Sequence, residues 1–232
     1  MKYALVDGAR AESTPKSRGK CQACGADVIA RCGTIKVWHW AHKSKEVCDS
    51  YWENETEWHR EWKNRFPEHW QEHVLRDETT GEKHIADVRA EDKCVIEFQY
   101  SPIDPSEQKS REIFYERMVW IVNGVRRKSD YKRFAKGLDN LLRTKQQGIF
   151  ITRFPEKLFP RSWLNRSVPA FFDFDGAIDA NPEITHGCVW GLLPGKQQGM
   201  SVVLCVSKDQ FVEFAKSGKL FGKLAEINRL AK

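Results

Sequence analysis

Lys83-His84-Ile85-Ala86-Asp87-Val88-Arg89-Ala90, then Glu91-Asp92, then Lys93-Cys94-Val95-Ile96-Glu97-Phe98-Gln99-Tyr100, is the stretch on which the fold turns. Two runs containing β-branched and aromatic residues, joined by two polar ones, read as consecutive strands with a tight turn. Each strand carries an acid among apolar neighbours, Asp87 in the first and Glu97 in the second. Glu97 and Gln99 are two apart and so share a face. A carboxylate in such surroundings costs several kcal/mol unless it is paired or bound to a cation. Two neighbouring strands with one such acid each therefore suggest a shared divalent ion.

Working outward, Ser50 to Phe66 is free of Gly and Pro and is closed by Pro67, which predicts a helix. Glu55, His59 and Lys63 recur every fourth residue and would line one face of it. A strand is expected at Glu72–Arg76. Beyond Tyr100, Ser106–Arg117 is helix-compatible, with Ile113 and Phe114 expected on the inner face. Met118-Val119-Trp120-Ile121-Val122 is a continuous apolar run, the pattern of a strand covered on both faces. The order is α-β-β-β-α-β, an α/β class. Asp130 to Gln147 reads as a further helix, with Phe134, Leu138, Leu141 and Leu142 on one side.

Three regions follow from this. Residues 1–49 are polar and cysteine-rich, 50–148 hold the core just described, and 149–232 are broken by Pro155, Pro160, Pro169, Pro182 and Pro194. The last region reads as a β-rich extension with strands at Val168–Phe174 and Met200–Val206 and short helices at Lys208–Lys216 and Phe221–Ala231. Asp173-x-Asp175 before Gly176 reads as a strand entering a turn rather than a metal site. Arg153, Arg161, Trp163 and Arg166 form a basic stretch, read as a solvated loop in preference to a nucleic-acid surface.

The first region has too little apolar content for its own core, so something else must hold it together. Cys21-x-x-Cys24, His39-Trp40-Ala41-His42 and Cys48 offer five metal ligands. The favoured tetrahedral zinc set is Cys21, Cys24, His42 and Cys48. His39 competes with His42, the two having opposite parity in a strand, and Cys32 is a weaker outsider. A full set of four leaves no position for water, so the zinc would be structural and would supply folding free energy. No apolar run approaches a membrane span, and no leader is evident at the amino terminus. A cytoplasmic location, where the seven cysteines stay reduced, is the expectation. Lys plus Arg number 38 against 32 Asp plus Glu, a net charge of +6 that permits an acidic partner such as DNA without requiring one.

The carboxylates suit phosphodiester hydrolysis, in which Mg²⁺ or Mn²⁺ activates water and neutralises phosphate charge. Asp87 and Glu97 would hold the ion, and Glu55 would contact it directly or through water. Gln99 would orient water or a phosphate oxygen, and Lys63 would stabilise developing negative charge. The competing reading is a structural network of ion pairs among Asp87, Glu97, His59 and Lys63.

Taken together, Cys21-x-x-Cys24, His39-Trp40-Ala41-His42-Lys43-Ser44 with Cys48, Glu53-Asn54-Glu55-Thr56, His59, Lys63, Ile85-Ala86-Asp87-Val88, and Glu97-Phe98-Gln99 with Ser101 resemble the competence protein CoiA-like family, over about residues 15–125. That family is a branch of the PD-(D/E)XK nuclease superfamily. The resemblance implies a zinc-binding amino-terminal module, a restriction-endonuclease-like αβββαβ core, and nuclease activity in DNA processing during recombination, competence or defence. Recombination proteins are implied as partners beside DNA. By position Asp87 takes the first acid of the superfamily motif and Glu97 the second, while Gln99 stands where lysine is usual. Lys63 or Lys109 would supply the missing charge, and Arg111 and Tyr115 face either the cleft or solvent. The alternative is an inactive DNA-binding accessory protein of the same fold. A metallonuclease centred on His39 and His42 is disfavoured by their closeness to Cys48.

Overall fold

The structure, a computed structural model, describes residues 1–43, 55–78 and 81–230. The chain divides into two compact units, Met1–Arg89 and Ala90–Lys232. Among the described residues no helix is long and apolar enough to cross a membrane. Both units combine helices with sheet, so the class is mixed α/β.

The first unit opens with short strands: β1 (Tyr3–Val6), β2 (Ala9–Glu12), β3 (Arg18–Lys20), β4 (Asp27–Arg31) and β5 (His39–His42). They form an antiparallel sheet in the order β2-β1-β3-β4-β5. Its core is small, as the thin apolar content requires: Met1, Ala4, Cys21, Ala23, Val28 and Trp40, with Val74 and Ile85 packed against it. Trp40 is fully buried and its indole N–H donates to the Ala11 carbonyl at 3.0 Å. The remaining elements are helix α1 (Glu57–Lys63) and an antiparallel hairpin of β6 (Gln71–Arg76) and β7 (Lys83–Arg89).

Helix α1 begins seven residues later than the expected start at Ser50. Thr56 caps it: its side chain accepts from the His59 amide, and His59 Nδ1 accepts from the Thr56 amide at 3.3 Å. This reciprocal box fixes the start of the helix. Glu55 therefore precedes the helix and does not share a face with His59 and Lys63.

The second unit contains β8 (Val95–Gln99), α2 (Pro105–Tyr115), β9 (Met118–Asn123), α3 (Lys128–Gly137), β10 (Leu142–Arg143), β11 (Ile149–Thr152), β12 (Ala170–Asp173), α4 (Pro182–Thr185), β13 (Cys188–Leu192), β14 (Ser201–Ser207), α5 (Lys208–Lys216) and α6 (Leu220–Leu230). Its strands run in the order β10-β11-β14-β13-β12-β9-β8. β8, β9 and β12 are mutually parallel, with α2 between β8 and β9 and with α3, β10 and β11 between β9 and β12, and the other pairs are antiparallel. Strands drawn from residues 149–232 thus share a sheet with β8 and β9. The core is aromatic, with Phe134 stacked on Phe174 at 4.4 Å and Phe159 on Phe172 at 4.7 Å between ring centroids. Gly191 makes room for the Phe171 ring, which packs against Phe211, since a Cβ there would lie 2.4 Å from that ring.

Two expected helices differ. The one expected over Asp130–Gln147 ends at Gly137 and passes into a 3-10 turn, and Gly137 lies so close to the Lys157 carbonyl that a Cβ there would stand 2.3 Å from its oxygen. Leu142, expected inside, is exposed on the edge strand β10. In α2 the inner face is inverted: Glu107, Gln108, Arg111, Glu112 and Tyr115 are buried, while Ile113 is 66% exposed.

Candidate functional site

The metal-ligand residues of the first region are placed by two elements. Cys21 and Cys24 flank a turn in which the Cys21 amide donates to the Ala26 carbonyl at 2.8 Å and the Gly25 amide to the Cys21 carbonyl at 2.9 Å. Gly25 has φ of 73°, a conformation that favours glycine. Strand β5 returns His42 to this turn, its Nε2 lying 3.4 Å from Cys24 Sγ. Zn–S and Zn–N bonds of about 2.3 and 2.05 Å at a tetrahedral angle place those two atoms about 3.6 Å apart, so the spacing suits a shared zinc ion.

Cys21, Cys24 and His42 are the one group of metal-ligand type among the described residues whose donor atoms all lie within 4.8 Å of one another. Cys21 is buried, and its sulfur accepts from the Ala23 amide at 3.4 Å. His39 is not in the group, and its Nδ1 lies 2.8 Å from the Val37 carbonyl. Cys32 also stands outside it. Cys48 and the Glu53-Asn54 pair lie outside the described residues.

In the first unit Glu55, Glu72 and Asp87 come together around Lys63. Lys63 Nζ lies 3.3 Å from Glu55, 3.0 Å from Glu72 and 3.1 Å from Asp87. Burial works against the charge on Lys63, but the carboxylates of Glu55, Glu72 and Asp87 outweigh it and hold the ammonium well above its usual range. Arg60 also reaches Glu55, at 3.1 Å. Glu72 accepts from the backbone amides of Lys2 at 2.5 Å and Tyr3 at 2.9 Å, tying β6 to β1. Its burial favours the neutral acid, yet Lys63 and those amides bring the carboxyl down to about 2. Asp87 differs from its neighbours: a fifth of its side chain is exposed, against 2–3% for Glu55 and Glu72. It is the member of the group that meets solvent.

Glu97 lies on β8 in the second unit and is buried. The inverted face of α2 explains how that charge is accommodated. Arg111 Nη1 stands 3.5 Å from Glu97, and Arg111 Nε donates to Glu107 at 2.6 Å, four residues earlier on the same helix. Arg111 is therefore a buried cation and not a solvent-facing one. Gln99 donates from Nε2 to the Ser101 carbonyl at 2.8 Å. Lys109 is exposed on α2. Glu112 extends the buried polar face, accepting from the Trp120 indole at 3.3 Å and from Ser167 Oγ at 2.6 Å. Trp163, read as part of a solvated basic stretch, is buried edge-on against Trp120 at 5.5 Å.

Sequence reasoning overlooked Glu72 and Glu107. Glu107 carried a signal, since Glu and Arg four apart on a helix form a natural pair. Glu72 carried none, because its role depends on amides of β1 some seventy residues away.

Residues 10–51 match the family model described as competence protein CoiA, N-terminal domain. The match covers the Cys21, Cys24 and His42 group and supports the resemblance to the CoiA-like family. No curated protein and no solved structure matches the chain.

Proposed function

We propose, from the CoiA-type N-terminal segment and the charged groups that follow it, that this chain is a metal-dependent deoxyribonuclease with a PD-(D/E)XK core. The observation that carries the reading is one acid on each of two strands whose other residues build a core. Asp87 meets solvent while held by Lys63, and Glu97 is buried beside Arg111. The element order α1-β6-β7-β8-α2-β9 is that of the superfamily core inferred from the resemblance. Hard oxygen donors suit Mg²⁺ or Mn²⁺, and Asp87 and Glu97 each offer a carboxylate to such an ion. Bound there, the ion would activate water and neutralise phosphate charge.

The chain's own residues have distinct parts in this reading. Lys63 fixes Asp87 and Glu55 in place and offsets their mutual repulsion. Arg111 pairs with Glu97 at the sheet. Gln99 sets the course of the chain at Ser101. The zinc module of Cys21, Cys24 and His42 is structural and helps grip DNA. The protein would act in the cytoplasm, where its thiolates stay reduced, beside recombination proteins in competence or defence.

A second reading, an accessory protein that binds DNA without cutting it, is favoured by one observation. Gln99 commits its amide to a backbone carbonyl, and Lys63 is already surrounded by three carboxylates. Cleavage of labelled single-stranded, double-stranded and branched DNA with Mg²⁺ or Mn²⁺ separates the two. The nuclease reading expects metal-dependent cutting that is lost in Glu97→Ala and Asp87→Ala while DNA affinity stays within about threefold. Binding without any cutting by the wild-type protein would establish the accessory reading.

A further inference from the structure

Because β8, β9 and β12 are parallel, Gln99, Asn123 and Asp173 end on one side of the sheet of the second unit. Ligands of such sheets bind in the crevice outside the carboxyl ends of the strands. A pocket of about 220 Å³ opens there, walled by Tyr100 and Ser101 after β8, by Asn123, Arg126 and Arg127 after β9, and by Trp163. Nothing in the carboxylate groups described above accounts for it.

The walls are fixed by side chains bonded to backbone. Buried Asn123 accepts from the amides of Val125 at 3.1 Å and Arg126 at 2.7 Å, setting the turn that carries both arginines. Gln99 sets the opposite wall through its bond to the Ser101 carbonyl. The guanidinium of Arg126 lies 5.5 Å from the centre of the Tyr100 ring, so a cation and an aromatic face meet at the mouth. Arg126 and Arg127 are exposed, and the acid in the wall, Asp130, is held by Arg133 at 3.0 Å. The pocket is therefore electropositive, and planar guanidinium groups suit phosphate oxygens.

We propose that this pocket is a phosphate subsite for a DNA strand, with Arg126 and Arg127 as its anion contacts and Tyr100 beside the adjoining base. The inference rests on the DNA-processing reading, and it makes Gln99 a positioning residue for the subsite wall. Sequence continuity supports a strand over a small phosphate: the pocket begins one residue after Gln99, on the strand that carries Glu97.

The test is binding of a fluorescent single-stranded oligonucleotide by anisotropy across a salt series, with no Mg²⁺ or Mn²⁺ added, so that cleavage is not required. Each phosphate contact on a single strand contributes about 0.7 to the slope of log affinity against log salt. Arg126→Ala/Arg127→Ala is expected to lower that slope by about 1.4 and to weaken binding about 10- to 30-fold near 0.1 M salt. Both side chains are on the surface, and an unchanged thermal melt would show that the variant is folded. Lys216→Ala/Lys219→Ala, which removes two exposed lysines at α5, is the control and should keep the wild-type slope. An unchanged slope in the arginine variant, or equal losses in both variants, would overturn the subsite. Cleavage assays on the same proteins keep the two ideas apart. A wild type that never cuts but shows the arginine-dependent slope retains the subsite and loses the nuclease. A cutting wild type with an arginine-independent slope does the reverse.

Discussion

Replacing Lys63 by Met keeps the length of the side chain and removes the cation on which three carboxylates converge. Glu55 retains Arg60 at 3.1 Å, and Asp87 has access to solvent. Glu72 has neither advantage: its side chain is 3% exposed and its remaining hydrogen-bond donors are the amides of Lys2 and Tyr3. Stranding one partner of a buried ion pair costs about 3 to 5 kcal/mol. The Glu72 carboxyl is held at about 2 against an ordinary 4.5 by Lys63, the amino-terminal ammonium and the two amides together, a depression worth about 3 kcal/mol of stability at neutral pH of which Lys63 supplies the leading share. A depressed carboxyl stabilises the fold above pH 4.5, and the contribution is lost as pH falls toward 2. About half of it or more is gone by pH 3. Urea unfolding followed by tryptophan fluorescence should thus show Lys63→Met about 3 to 5 kcal/mol less stable than wild type at pH 7, with the gap narrowing by at least about 1 kcal/mol at pH 3. A gap under about 1 kcal/mol at pH 7, or one that does not change between the two pH values, would refute the claim that Lys63 holds Glu72 ionised.

Elemental analysis of the purified protein should give one zinc per chain, lost in Cys24→Ser and His42→Ala and kept in Cys32→Ser and His39→Ala. The same metal content in all four variants would remove the assignment. Arg111→Met should destabilise the second unit by about 3 kcal/mol by leaving Glu97 without its cation, and adding Glu97→Gln should recover at least about 1 kcal/mol of that loss. Additive losses in a double-mutant cycle measured by thermal or urea unfolding would show that the 3.5 Å pair carries no coupling.

Legibility in the sequence followed the hydrophobic effect closely and failed where polar groups were buried. The strands around Asp87 and Glu97 and the run at Met118–Val122 could be read because apolar side chains alone mark them. The cysteine pair and His42 could be read because ligand spacing is short-range chemistry. The inner face of α2 could not. Apolar Ile113 and Phe114 pointed to one face, whereas the helix turns its charged face inward to meet Glu97 and the Trp120 indole. No rule based on hydrophobic periodicity finds a helix whose buried side is Glu107, Gln108, Arg111 and Glu112. The start of α1 was misread for a different reason, since the Thr56–His59 box is a local capping signal that overrides a continuous helix-compatible run. β11 and β13 were overlooked although Ile149-Phe150-Ile151-Thr152 and Val189-Trp190 are β-branched and aromatic runs of the kind that favour strands.

Strand β5 offers a consequence for how the module is assembled. Trp40 and His42 have the same parity, so the residue that fills the small core and the residue that meets Cys24 project from one face of the strand. A slip of one residue against β4 would turn both to the other face together. It would bring His39 and Ala41 inward, expose an indole and leave the thiols without their imidazole. Capture of a metal ion by this module would therefore proofread the strand pairing, because a misaligned chain has no site to load.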